Sequence, residues 1–122
     1  MSNIHLSRDA LKALASNPSQ GQVVMLNLLK FKPGGGSKAY ARYATAFEAV
    51  LVRHGGRFIY LGRAAEMLVG DDTWDAVALV EYPSRKVFAE IIKSPEYDAL
   101  SKDRDEGLER TVLYATDPRA IG

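Results

Sequence analysis

The chain contains no cysteine. That absence excludes disulfides, thiolate metal sites, iron–sulfur clusters held in the usual way and a cysteine nucleophile, and it fits a reducing compartment, so a cytoplasmic location is expected. A dominant sign of charge is also missing: 16 Lys and Arg stand against 15 Asp and Glu, a net +1 dispersed along the chain, so nothing draws it to nucleic acid or to an anionic bilayer. No apolar run approaches the roughly 20 residues that span a membrane, and residues 1–5 lack the basic and apolar regions of a signal peptide. Neither a Gly-x-Ser-x-Gly elbow nor a His-Glu-x-x-His zinc helix occurs. Residues 33–38, Pro-Gly-Gly-Gly-Ser-Lys, invert the Gly-Lys-Ser/Thr order that sets lysine and hydroxyl on phosphate and magnesium.

What is present is one domain's worth of apolar pattern. Residues 22–31, Gln-Val-Val-Met-Leu-Asn-Leu-Leu-Lys-Phe, are apolar on both sides of a strand, with Val23, Met25, Asn27, Leu29 and Phe31 on one face and Val24, Leu26 and Leu28 on the other. Both faces therefore need cover, and a single layer of helices covers one. The amide of Asn27, sealed inside, needs hydrogen-bond partners or a ligand. The pattern points to an enclosed cavity against a second sheet.

Ser7 caps a short helix through residue 15, forming an N-terminal helical arm over residues 1–20; the domain proper is expected over residues 21–122. After the glycine-rich break, Tyr40, Tyr43, Ala44, Phe47 and Leu51 recur at helical spacing over residues 38–54, and Gly55-Gly56 stops the helix. Residues 57–69 read as a long strand bent at Gly62, and residues 75–82 as its hairpin partner. Ser84 caps a helix carrying Val87, Phe88, Ile91 and Ile92; Ser94-Pro95-Glu96 starts another; residues 110–116 form the last strand before a frayed tail. The order β-α-β-β-α-β predicts an α+β, ferredoxin-like antiparallel sheet with its main helices on one face. Its free face measures roughly 400 Å² before corrugation, at the upper end of what a monomer leaves bare, so a homodimer through the sheet face is expected.

Met25-Leu26-Asn27-Leu28-Leu29-Lys30-Phe31, Tyr40 and Tyr43, Gly55-Gly56-Arg57, Tyr82-Pro83-Ser84, and Ser94-Pro95-Glu96-Tyr97 followed by Arg104 together resemble the DUF1330 family, over about residues 23–116. That family lies within the dimeric α+β barrel superfamily. The resemblance implies two ferredoxin-like protomers whose sheets form one barrel with a pocket in each, and relatives that include cofactor-independent monooxygenases, haem-degrading enzymes, chlorite-dismutase-like haem proteins and small isomerases. No histidine matches a haem ligand, since His54 ends a helix and His5 is in the arm.

Each candidate site residue has two readings. Asn27 can aim its amide N–H at a bound carbonyl or enolate as a catalytic group, or bond a neighbour in the core. Tyr97 and Arg104, seven residues apart on one helix face, can grip an anionic ligand, or pack and ion-pair with Glu96 or Asp105. Arg63 suits carboxylate recognition or a rim salt bridge. Glu81, or less so Glu66, can be a catalytic base or simply face water; His54 can shuttle a proton or answer the helix dipole. Trp74 can close a pocket mouth or shield a hairpin, while Tyr40, Tyr43 and Phe47 read as core. Asp71, Asp72 and Asp75 lack the alternation and closing glutamate of an EF-hand, so no metal and no cofactor are expected.

Two functions fit: a cofactor-independent enzyme, monooxygenase- or isomerase-like, acting on a small carbonyl- or carboxylate-bearing molecule, or a non-catalytic small-molecule binding or sensing protein with the same pocket. RNA binding, which the same strand order serves elsewhere, is disfavoured because the third strand, Asp-Ala-Val-Ala-Leu-Val-Glu, carries no basic and aromatic run.

Overall fold

The computed structural model describes residues 4–118. Eight elements follow in order: α1 (Arg8–Ser16), β1 (Val23–Phe31), α2 (Gly36–Arg53), β2 (Arg57–Arg63), β3 (Ala76–Tyr82), α3 (Arg85–Ile92), α4 (Pro95–Gly107) and β4 (Leu108–Thr116). The strands form one antiparallel sheet in the order β2-β3-β1-β4, the ferredoxin-like arrangement expected. The frayed tail expected after Pro118 lies outside the described residues, as do residues 1–3. Among the described residues no helix is long and apolar enough to cross a membrane.

Capping chemistry places the helices. The hydroxyls of Ser7, Ser84 and Ser94 accept from the backbone N–H three residues on, at 3.1–3.2 Å, which fixes the starts of α1, α3 and α4. At the end of α2, Gly55 adopts φ +84° while Gly56 N–H bonds the Leu51 carbonyl and Gly55 N–H that of Val52, a Schellman stop. Gly36 and Gly107 bring the start of α2 onto the end of α4 so closely that a Cβ on either would lie 2.7 Å from the other's carbonyl oxygen. Helix α2 consequently begins two residues earlier than its apolar stripe suggests.

The register decides which side of the sheet is which. Val23, Met25 and Leu29 stand opposite Tyr82, Val80 and Ala76, and all six are buried with Tyr43, Phe47, Leu51, Phe88 and Ile91 from the helices. The face that carries Asn27 is therefore the helix-covered face. Ile4, Leu11 and Leu14 pack on the same core, and α1 lies beside α3. The other face, Val24, Leu26, Leu28, Val77, Leu79 and Val112, is half-buried, and among the described residues no second layer covers it.

Two expectations for β2 need correction. The strand ends at Arg63, not residue 69, because its partner β3 begins only at Ala76; Asp75 is the last link, its carbonyl accepting from Ala64 N–H while its own N–H bonds the Leu29 carbonyl and its carboxylate the Phe31 N–H of β1. Glu66 thus lies in the connecting loop. The distortion of β2 falls between Phe58 and Tyr60 rather than at Gly62, where a Cβ would strike the Tyr60 ring.

Candidate functional site

A cavity of about 130 Å³ lies between the sheet and the helix layer, inside the protomer. This corrects the expected chamber between two sheets: the alternation of β1 sets Asn27 on the helix side, so the space beside its amide is roofed by α2 and α4 instead of a second subunit. Ala78, directly opposite Asn27, is small enough to leave room there. Four phenols stand in an otherwise mostly apolar wall: Tyr40 and Tyr43 from α2, Tyr82 from β3 and Tyr97 from α4.

Burial controls these phenols. Tyr40 and Tyr82 are 6% and 3% exposed, and neither hydroxyl makes a hydrogen bond to any described residue, although both line the cavity. Both hydroxyls open onto the cavity, since Arg85 Nε alone is a sealed, unpartnered polar atom among the described residues, so each is free to bond water or a ligand there. The Tyr43 and Tyr97 hydroxyls meet at 3.2 Å. Desolvation pushes the Tyr40 phenol up to about 12, against a smaller opposing pull from Arg104, and drives Tyr43 and Tyr82 upward as well. All three are neutral hydrogen-bond donors near pH 7.

Arg104 supplies the charge. Its side chain is 13% exposed; Nη1 donates to the Ile4 carbonyl at 2.7 Å, and among the described residues the nearest carboxylate oxygen, on Asp105, is 4.0 Å away. A guanidinium has five N–H groups in a fork matched to carboxylates, and one bond to a carbonyl leaves most of that capacity open. The segment that gives this carbonyl also brings His5 and Leu6 to the rim, where His5 Nδ1 lies 3.9 Å from Asp105.

The structure brings Asn27, Tyr97 and Arg104 to one cavity and leaves the other sequence candidates outside it. The role assigned to Asn27 reverses: its NH₂ faces the carbonyls of Met25 at 3.2 Å and Ala78 at 3.5 Å, so what it has to offer a ligand is the Oδ1 acceptor, not a donor. Glu81 is on the opposite sheet face, holding Arg57 at 3.4 Å and Gln22 at 3.3 Å, so it has no access to the cavity as a base. His54 caps α2, its Nδ1 2.8 Å from the Val50 carbonyl, and is likewise outside. Trp74 covers the Arg110 guanidinium, 4.5 Å from ring to cation, instead of closing a mouth. Arg63 lines a separate groove with the β1–α2 loop, and Tyr40 alone is shared between the two spaces.

Sequence reasoning passed over Tyr40, Tyr43, Tyr82, Ser101, Asp105 and His5 as wall residues. For the tyrosines a signal existed, since a hydroxyl at a core position must be satisfied by something. His5 offered none, because it reaches the rim through an irregular segment without periodicity.

Comparison with known proteins places the chain. No curated protein matches it. Among solved structures, RPA0582 of Rhodopseudomonas palustris, a protein of unknown function, is 30% identical with a TM-score of 0.91, the match covering 99% of this chain and 100% of that one. The N-terminal arm therefore has a counterpart there. A dimeric protein of unknown function with a ferredoxin-like fold from Bacteroides fragilis is 19% identical, TM-score 0.59, covering 80% of this chain and 97% of that one. The hydroxynitrile lyase of Passiflora edulis is 13% identical, TM-score 0.63, covering 84% and 100%. At such identities the likeness is one of fold. The family described as a domain of unknown function, DUF1330, matches residues 36–117, which takes in α2 through β4 and leaves β1, with Asn27, outside the matched segment. With two-thirds of its length so matched, the chain belongs to the DUF1330 family.

Proposed function

We propose that the cavity binds a small carboxylate that also carries a carbonyl group, and that the protein performs cofactor-independent proton transfer on it. One observation carries this reading: two buried tyrosines whose hydroxyls bond no described residue and a nearly buried guanidinium with one described hydrogen bond line the same small space. Arg104 would take the carboxylate, and the Tyr40 and Tyr82 hydroxyls would donate to the carbonyl oxygen, where negative charge develops as a neighbouring carbon loses its proton to the Asp105 carboxylate in the same lining. Asn27 Oδ1 would accept from a hydroxyl or an enol. A cavity near 130 Å³ is close to the roughly 150 Å³ that holds benzene, which selects ligands of about six non-hydrogen atoms.

Binding without turnover is the competing reading, and one feature favours it. The wall groups able to accept a proton, His5 and Asp105, lie at the exposed rim and face each other. That the fold houses an enzyme in Passiflora edulis supports catalysis only at the level of architecture. The two readings separate by titrating the protein with linear carboxylates from acetate to hexanoate and the matching 2-oxo acids, followed by NMR, and by measuring deuterium exchange next to the 2-oxo group. Tightest binding at three- to four-carbon 2-oxo acids, lost in Arg104→Gln, is expected. Exchange no faster than with the Arg104→Gln protein would leave a binding protein; no binding by any member of the series would remove the site.

The protein pairs through its open sheet face into a homodimer. That face is aliphatic and uncovered in the protomer, and the Bacteroides fragilis relative of the same fold is described as dimeric.

A further inference from the structure

The connection between β2 and β3, residues 64–75, has two unlike halves. Its second half is tied to the sheet: Trp74 covers the Arg110 guanidinium, Asp72 forms an ion pair with it, and the Thr73 carbonyl accepts from it at 2.9 Å. Arg110 stands opposite Lys30, so its side chain leaves the sheet on the side of Leu26 and Leu28, away from the helices. Its first half holds Met67, Leu68 and Val69, with Leu68 91% and Val69 96% exposed. Single exposed aliphatic residues are ordinary, but three in succession stand on a base that is anchored, through Arg110, on the side of the uncovered apolar face.

We infer that this loop tip is part of the contact between two copies of the chain, each tip packing on the other copy. The inference rests on the dimer reading above and adds a second element to it. Area favours a second copy as the occupant. The sheet face projects roughly 400 Å² before corrugation, and a standard interface takes roughly 800 Å² of accessible surface per partner. Three aliphatic side chains contribute on the order of 300 Å² more, which brings the patch near that size. In a two-fold dimer every contact occurs twice, so the tip counts double.

The test is sedimentation of the full chain over a dilution series, comparing wild type with Leu68→Ser/Val69→Ser. Both positions are bare in the protomer, so the variant should fold; matching circular dichroism and melting at a concentration where both are monomeric checks this. Trp74, the sole tryptophan, sits at the loop base, and its emission should change on dilution through the wild-type dissociation range. The expected result is a wild-type dimer at micromolar concentration whose dissociation constant rises at least about a hundredfold in the variant. A variant that dimerises as tightly as wild type overturns the role of the tip while the dimer stands. A wild-type chain that stays monomeric to about 100 µM overturns both, the dimer reading included.

Discussion

Raising the pH should unfold this protein through its buried phenols. Tyr40, Tyr43 and Tyr82 are held protonated by desolvation, Tyr40 up to about 12, with Tyr43 and Tyr82 raised as well. In the unfolded chain a tyrosine loses its proton near pH 10, so above that pH the folded state binds more protons and stability falls as pH rises. The stabilising contribution is whole below pH 10 and disappears as pH climbs toward the folded values. At about pH 11 the Tyr40 and Tyr82 phenols each cost about 1.4 kcal/mol, together about 3 kcal/mol, a large share of a typical 5–15 kcal/mol, and Tyr43 acts in the same direction. Urea midpoints measured between about pH 9 and pH 11 report this loss. Tyr82→Phe isolates one member: its hydroxyl bonds no described residue, so the substitution strands no partner, and the loss at about pH 11 should shrink by about 1.4 kcal/mol. Parallel curves for wild type and Tyr82→Phe would refute the reasoning, because they would mean that the hydroxyl titrates alike in both states.

Other changes separate core, backbone and site. Leu29→Ala, at a fully buried position between sheet and helices, should lower stability by about 2–5 kcal/mol in urea unfolding, whereas Leu68→Ala, on the bare loop, should move the monomer by no more than about 0.5 kcal/mol. Gly56→Ala places a methyl group against the Leu51 side chain and 2.7 Å from the Glu81 carbonyl oxygen; a loss of about 1–3 kcal/mol is expected by the same measurement. Ser84→Ala removes the acceptor for Val87 N–H and should cost about 1 kcal/mol. Arg104→Lys keeps the charge but not the fork, so calorimetric titration with 2-oxobutyrate should show binding weakened about tenfold or more, against near-complete loss in Arg104→Gln.

The fold was legible because its signals are local. Serine caps, the Gly55-Gly56 stop and the stripe of Tyr40, Tyr43, Phe47 and Leu51 each act within a turn or two of helix, and together they leave little choice of element order. Where β2 ends was not legible, since a strand stops when its neighbour stops, and the start of β3 at Ala76 is set by Asp75 reaching across to β1. Tyr97 and Arg104 could be paired from their spacing alone. His5 could not be joined to them, because a short irregular segment with no period carries it there.

The side of the sheet on which the cavity lies was the hardest feature to read, and the reason is physical. Apolar residues occupy both faces of β1, so alternation sorts them into two sets without saying which set meets the helices. Size could have decided it. Large aromatic residues on α2, Tyr40, Tyr43 and Phe47, can lie over a sheet only where the facing residues are small, and on β3 the small ones are Ala76 and Ala78, in register with Leu29 and Asn27. The opposite set, Val77 and Leu79, is bulkier and suits a flat contact with another sheet. Small residues under tyrosines also leave space, and a tyrosine beside a space keeps a hydroxyl that the protein does not satisfy. The same complementarity of volume that orients the sheet therefore creates the cavity and furnishes it with donors, and a ligand that bound without touching the Tyr40 or Tyr82 hydroxyl would break that connection.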